Sequence, residues 1–227
     1  MKPLLSIVVP VLNEARYLPQ LLARLRGFGE QTETLVVDGG SNDGSQDLVR
    51  ADGRAILLAA ARGRARQMNV GAARARAPLL FFMHGDTLPP PEAPGLITQA
   101  LADSSVLAGS FRLAFDRDSP LLRFYAWCSS ANNLLTTYGD QGLFMRRSDF
   151  EALGGFPDLP FLEDIEFQRR LRRRGKVVKL NSALRTSARR FERHGVLGQQ
   201  LRNVAIVGAY LAGARPARLK RLYSDLR

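Results

Sequence analysis

The stretch LLSIVVPVLNEARYLPQLLARLRGF, residues 4–28, changes its period in the middle. Its opening, LLSIVVPVL (4–12), is a β-branched apolar run of strand length. From there Leu18, Leu21, Leu22, Leu25 and Phe28 recur at helical spacing and share one face. The same alternation continues downstream. ETLVVDGGSNDGS (33–45) reads as a second strand ending in a polar glycine turn, with Ser45 expected to cap the helix QDLVRA. AILLAA (55–60) is a third strand, RGRARQMNVGAARARA (62–77) a helix, and PLLFFMH (78–84) a fourth strand. This order predicts a parallel, doubly wound sheet whose ligands lie beyond the carboxyl ends of its strands.

From about residue 105 the pattern changes. VLAGSFRLAF (106–115) alternates like a half-exposed strand, PLLRFYAWCSSANNLL (120–135) reads as a helix, and GLFMRR (142–147) as a short strand. PFLEDIEFQRRLRRRG (160–175) is a helix closed by Gly175. No repeat, low-complexity tract or long linker interrupts the chain. A single α/β domain over 1–227, with a mixed second half, is the expectation.

The composition fits a folded domain: of 227 residues, 45% are hydrophobic and 24% charged. The lone cysteine, Cys128, excludes an internal disulfide framework and a Cys-based zinc cluster, which favours a reducing, cytoplasmic setting. The N-terminal apolar run is broken by Pro10 and closed by Asn13 and Glu14, so a strand is expected there rather than a signal peptide. No segment reaches the roughly 20 apolar residues that span a bilayer.

Basic residues outnumber acidic ones 33 to 21, a formal net charge of +12. The excess is concentrated in 169–179, 185–194 and 214–227. A solvated arginine-rich surface explains it; so does an anionic partner such as lipid or a phosphorylated substrate. Aromatic residues of the kind that stack on bases are sparse there, which disfavours nucleic acid.

Four polar islands fall at strand tips or loop ends: Pro10–Glu14, Asp38–Ser45, His84-Gly85-Asp86, and Glu163-Asp164 at a helix start. Each has a purely structural alternative. Asn13 can cap a helix, Gly39–Asn42 can be an ordinary turn, and Glu163 with Asp164 can complement a helix dipole. Four such islands along one sheet edge are harder to explain as caps and turns.

The ordered set SIVVPVLNEARYL, LVVDGGSNDGS, GRARQMNVGA, HGDTLPP, YGDQGLFMRR and FLEDIEFQRRLRR resembles the family-2 glycosyltransferases. More narrowly, it resembles the short bacterial radical-SAM/selenodomain-associated transferases. The resemblance spans roughly residues 4–200. It implies a GT-A fold with a Rossmann-like mixed sheet flanked by helices. A nucleotide-binding half would cover about residues 1–104, and an acceptor-binding half about 105–227.

By the same resemblance, Pro10, Asn13 and Glu14 would line the nucleotide pocket. Asp38 would accept a hydrogen bond from the imide of the base, uracil in most relatives. Arg66 and Asn69 would flank the nucleotide. Asp86 matches the last acid of the family's Asp-x-Asp motif, which holds Mn²⁺ or Mg²⁺ against the donor diphosphate. His84 stands where many relatives carry Asp; as a further metal contact it would tilt the ion towards Mn²⁺. Gly85 is expected to permit close approach of the metal diphosphate. His194 is a late candidate metal ligand, with a structural role as its alternative. Asp164 matches the catalytic base of an inverting reaction, and Glu163 would raise its basicity or hold the acceptor. Tyr138, Asp140 and Gln141 would meet the sugar or acceptor, or form a polar loop. The run QRRLRR (168–173) is read mostly as a solvated helix face.

The apolar stretch from Val204 to Ala214 and the basic tail after it could rest on anionic lipid or pack on the domain. A nucleotide-sugar donor, most simply a UDP-sugar, and an unknown hydroxyl acceptor that may be lipid-linked are therefore the expected partners, with a peripheral position at the inner membrane face as the variant of the cytoplasmic setting. Two other classes stay open. A nucleotidyltransferase would use a similar sheet, but the loop PVLNEAR lacks its glycines. A non-catalytic basic module would bind membrane or nucleic acid without needing three separated aspartates.

Overall fold

In the computed structural model, which describes residues 2–159, 161–189, 196–214 and 219, strand β1 (Leu5–Val11) is buried over its whole length. It lies between two parallel neighbours, β2 (Thr32–Asp38) and β4 (Leu79–Phe82). β3 (Ile56–Ala59) continues the parallel set outside β2. Continuous apolar runs such as SIVVPV suit this position, because helices cover both faces of the sheet.

On one face α1 (Leu18–Arg26) presents Leu18, Leu21, Leu22 and Leu25, and α4 (Ala93–Ala102) adds Ala93, Ile97 and Leu101, around Phe81, Phe111 and Phe144. Pro19 stands in the first turn of α1, where a missing N–H costs nothing. On the other face lie α3 (Arg64–Arg74) and α7 (Glu163–Arg174), whose Met68, Ala72, Phe167 and Leu171 pack with Phe82, Phe150 and Phe156. Gly71 lets α3 settle onto the sheet, since a Cβ there would lie 2.3 Å from Val8 Cγ1. Helix α2 (Ser45–Asp52) follows β2.

The described strands form one sheet in the order β3-β2-β1-β4-β7-β6-β8-β5. β7 (Leu143–Arg146) pairs antiparallel with both β4 and β6 (Val106–Phe115). β8 (Lys176–Thr186) runs parallel to β6 with two register shifts, and the short β5 (Thr87–Leu88) closes the far edge against β8. Helices α5 (Pro120–Cys128), α6 (Arg147–Ala152) and α8 (Val196–Leu211) complete the described elements. The result is a single α/β domain with a mixed sheet: β3-β2-β1-β4 are parallel, β7 runs antiparallel to its neighbours, and β6 and β8 are again parallel to each other.

Three details depart from expectation. The helix predicted over 120–135 ends at Cys128. Gly44, at φ 87°, occupies the N-cap of α2 in place of Ser45, whose hydroxyl is used elsewhere. And β8, the longest of the described strands, carries no simple alternation: its polar and charged residues fall on both partly buried faces.

Candidate active site

The tips of β1 and β2 interlock. Asn13, in the left-handed region at φ 57°, donates its backbone N–H to Ser41 Oγ (2.9 Å), and its Oδ1 accepts from the Asn42 N–H (2.9 Å). Asn tolerates this conformation because its short amide bonds locally. Glu14 N–H donates to Ser45 Oγ at 3.0 Å, and Ala15 N–H to Asp43 Oδ2 at 2.9 Å. Pro10 is tolerated in a central strand because β4 ends at the level of Val8, leaving only β2 beside it.

Asp38 ends β2 almost fully buried. Its Oδ2 accepts from the N–H groups of Gly40 (2.9 Å) and Ser41 (3.0 Å) and from Gln46 Nε2 (2.8 Å). Burial pushes the carboxyl up, but these hydrogen bonds outweigh it and hold Asp38 below the usual carboxylate range. Oδ1 lies 3.3 Å from the Ser41 N–H, the Ser41 side chain also hydrogen-bonds the carboxylate, and an ionised carboxylate of this kind keeps accepting capacity. Gln67, buried below, donates to the carbonyls of Val11 (2.8 Å) and Val37 (2.7 Å), which ties the two tips to α3.

At the end of β4 the chain turns tightly through Gly85. A Cβ there would lie 3.1 Å from Val11 Cγ1 and 3.3 Å from Glu14 Cγ. The close approach that Gly85 permits is thus to the β1 tip. It brings Asp86 and Glu14 onto one point, the Nη2 of Arg189, at 2.9 and 2.6 Å. The guanidinium also lies over the Tyr17 ring, 4.9 Å from its centroid. Tyr17 is fixed in turn by its hydroxyl contact with Ser187 Oγ at 2.9 Å.

Two carboxylates converging on one cationic nitrogen are the donor set of an Mg²⁺ or Mn²⁺ site of the kind completed by substrate phosphates and water. Among the described residues no cluster of three or more His, Cys, Asp or Glu side chains gathers, so a dedicated protein cage is not what these residues form. Chemically, Asp86 and Glu14 would suit an ion shared with a diphosphate. His194 lies outside the described residues.

His84 faces a different neighbour. A Cβ on Gly139 would meet both His84 Nε2 and Asp164 Oδ2 at 3.2 Å, so the imidazole and the carboxylate flank the same glycine. Together with Arg64, Tyr138, Glu163 and Gln168 they line a cleft floored by Phe82 and Phe156. Asp164 Oδ2 accepts from the Gly139 N–H at 2.9 Å and Oδ1 from the Ile165 N–H at 2.9 Å. Leu162, immediately before α7, is a buried non-glycine residue at φ 64°, a conformation costing on the order of 1–3 kcal/mol. That strain aims the first turn of α7, with Glu163 and Asp164, into the cleft.

Glu163 is buried, and burial raises its carboxyl above the ordinary range; the Arg64 ion pair at 2.7 Å opposes the rise and the Asp164 charge adds to it. Burial first, and then the charges of Asp140 and Asp164, push the Tyr138 phenol up to about 12. Gln168 Oε1 is buried with no hydrogen-bond partner among the described residues, and Gln168 lines the cleft rather than a solvated face. Its neighbours Arg169 and Arg170 clamp Glu166.

Other candidates take structural duties. Arg66 makes an exposed bidentate pair with Asp158 at 2.9 and 3.0 Å. Asn69 spends both ends of its amide on the backbone of Phe156, at 2.8 and 2.9 Å. Gln141 is fully buried, donating to the Thr136 carbonyl and accepting from Lys179 Nζ. Lys179 also donates to the Ser129 carbonyl at 2.7 Å. Burial, with Arg172 adding repulsion, lowers its amine to about 8. Sequence reasoning missed Arg189, Arg64, Tyr17 and Lys179. Each acts through a partner distant in the chain; Arg64 and Tyr17 lie within the quoted motifs, but nothing there singles them out.

The fold is of the GT-A type. The mannosyltransferase PcManGT from Pyrobaculum calidifontis, solved with GDP-Man and Mn²⁺, superposes with a TM-score of 0.67 at 18% identity, over 99% of this chain and 80% of that one. Glucosyl-3-phosphoglycerate synthase from Mycobacterium tuberculosis, solved with Mn²⁺, UDP and phosphoglyceric acid, gives 0.67 at 16% identity, over 94% and 80%. Residues 6–152 match Glycosyl transferase family 2, and the chain belongs to that family. An undecaprenyl-phosphate 4-deoxy-4-formamido-L-arabinose transferase of Pseudomonas paraeruginosa is 33% identical over 177 residues, 67% of this chain and 51% of its own. The chain thus spans about half the length of the curated relatives it matches.

Proposed function

We propose that the chain transfers a sugar from a nucleoside diphosphate donor, with UDP as the carrier, to an acceptor hydroxyl, inverting the anomeric carbon. The observation that carries this reading is the division of acids around the cleft: Glu14 and Asp86 share one cationic partner at the strand tips, while Asp164 flanks Gly139 at the start of α7. Family membership supports the reaction class. The motifs further support a place in the short bacterial radical-SAM/selenodomain-associated subgroup.

In this reading the first half of the chain, about residues 1–104, grips the nucleotide. Asp38 stays ionised, and its Oδ1 accepts the imide N–H of uracil. Asn13 and Pro10 shape the rim around the nucleoside. Asp86 and Glu14 would hold Mn²⁺ or Mg²⁺, which when bound neutralises charge on the departing diphosphate. Arg189 releases the two carboxylates as the donor enters and turns its guanidinium to the phosphates, a match for its planar fork.

The acceptor oxygen attacks the anomeric carbon on the face opposite the diphosphate. Its proton passes to Asp164, and the electron pair of the broken C–O bond leaves with the diphosphate. Glu163 sits beside Asp164, its own carboxyl raised above the ordinary range by burial and held by the Arg64 ion pair. Gln168 Oε1 is placed to accept a hydrogen bond from a ligand hydroxyl, and Tyr138 and Asp140 complete the acceptor side. The names of the undecaprenyl-phosphate transferases among the relatives support a lipid-linked acceptor.

The test is a transfer assay with a panel of UDP- and GDP-sugars, Mn²⁺ and polyprenyl acceptors, with the anomeric configuration of the product read by NMR. An inverted product from a UDP-sugar is expected. Retention of configuration, or turnover unaffected in Asp164→Asn, would remove the mechanism.

A further inference from the structure

Helix α5 is amphipathic with its apolar sides unequally used. Leu122 and Tyr125 are buried against the domain. On the outside, Leu121, Phe124 and Trp127 recur at three-residue spacing and are 43%, 59% and 70% exposed. The Phe124 and Trp127 rings lie 5.9 Å apart, so the two form one aromatic ridge. Helix α8, which packs against α5, exposes Val204 and Leu211 as well. A soluble surface rarely leaves aromatic side chains grouped in this way without a use.

We propose that this face of α5 docks on an anionic lipid surface, with Phe124 and Trp127 entering the headgroup region. Charge selects lipid over a protein partner. Beside the ridge Arg117 and Arg123 are exposed together with Asp116 and Asp118, Arg123 lying 3.6 Å from Asp118, so the cationic excess is that of the chain as a whole, a formal +12. The sequence from Arg215 to Arg227 holds five basic residues and one acidic one. Leu219, within that run, is buried against Ile206 and Val207 of α8. An apolar aromatic ridge on a strongly cationic chain is the chemistry of an interfacial anchor: the rings bury, and the excess positive charge is drawn to anionic headgroups. Indole is the side chain best suited to that boundary.

The docking helix is joined to the cleft along the chain. The chain leaving α5 leads to Tyr138 and Gly139, which line it beside Asp164. The docking itself does not depend on the transfer chemistry, and its test requires no turnover.

Trp127 is the only tryptophan in the chain, so its emission reports on this face alone. The full-length protein is mixed at low salt with vesicles of equal parts phosphatidylglycerol and phosphatidylcholine. Co-sedimentation is expected, with a blue shift of the Trp127 emission and quenching by brominated acyl chains. Phe124→Ser should weaken vesicle binding about tenfold or more while leaving the Trp127 reporter in place. Sedimentation with unchanged Trp127 emission would overturn the proposal in favour of binding by the basic tail alone. Failure to sediment would overturn it outright. A blue shift without vesicles that grows with protein concentration would assign the face to a second copy of the chain instead.

Discussion

Glu14 and Asp86, from the ends of two different strands, share a single hydrogen-bond donor: Arg189 Nη2 lies 2.6 Å from the one and 2.9 Å from the other. Their side chains are only 14% and 8% exposed, so neither acid is left to bulk water. Holding two carboxylates together without a cation between them is costly, and a guanidinium is a cation that a donor diphosphate can also bind.

Arg189→Ala should leave that acid pair uncompensated. The variant is expected to be less stable than the parent without metal and to gain more stability from millimolar Mn²⁺, because the ion no longer competes with the guanidinium. Thermal unfolding with and without Mn²⁺ checks this; an equal gain in the two proteins would show that the ion binds elsewhere.

Asp164→Asn keeps the shape of the side chain and its bond to the Gly139 N–H becomes the casualty. Loss of a positioned general base lowers turnover by about 10²–10⁴-fold. Binding of UDP should change little, since the nucleotide loops lie at the β1 and β2 tips. Equal losses in both would recast Asp164 as a positioning residue for the cleft.

Glu166 has its carboxyl lowered to about 2, first by the hydrogen bonds from Arg169, against the effect of burial, with Tyr210 and Arg170 assisting. A folded value below the unfolded 4.5 means that its stabilisation is present above about pH 4.5 and is lost as pH falls towards 2. Glu166→Gln should therefore cost on the order of 2–3 kcal/mol at pH 7 and progressively less below pH 4.5. Urea unfolding of both proteins from pH 7 to pH 3 measures the difference.

Lys179 runs in the opposite sense to a stabilised lysine. Its folded value of about 8 lies below the ordinary 10.5, so between these values the unfolded chain binds more protons. Stability should then rise with pH across that window, and Lys179→Met should remove the rise. A parallel pH profile for the two proteins would mean that the amine is solvated and titrates normally.

Local pattern made the first half of the fold legible: β1 to β4, α1 and α3 follow from apolar runs and helical spacing, because β1, β2, β4 and the inner faces of α1 and α3 are buried in the usual way, while β3 keeps its apolar run although it is only half-buried at the sheet edge. β8 was not legible. Its residues alternate poorly, and its strand identity comes from pairing with β6 some seventy residues earlier. α5 stopped early because Ser129 and Ser130 turn their hydroxyls onto the carbonyls of Ala126 and Trp127, a local competition that apolar spacing does not display.

In the site, the strand-end acids stood out as islands, but their partners did not. Arg189 is one arginine within RTSARRFERH, and nothing nearby distinguishes it from its neighbours. The Arg64–Glu163 pair joins the starts of two helices far apart in the chain. Asn69 carried a family signal, yet its amide is taken by the Phe156 backbone. Residue type at a motif position is visible in a sequence; the partner that uses up its hydrogen bonds is not.

The most direct test of the donor site is thermal unfolding with UDP, GDP and CDP, with and without Mn²⁺, in the parent, Asp86→Ala and Asp38→Ala. A ligand at about a hundred times its dissociation constant stabilises by roughly 2.7 kcal/mol. The account predicts an Mn²⁺-dependent shift with UDP, lost in Asp86→Ala, and a loss of preference for UDP in Asp38→Ala. No shift with any nucleotide, or a UDP shift indifferent to Asp86, would contradict it.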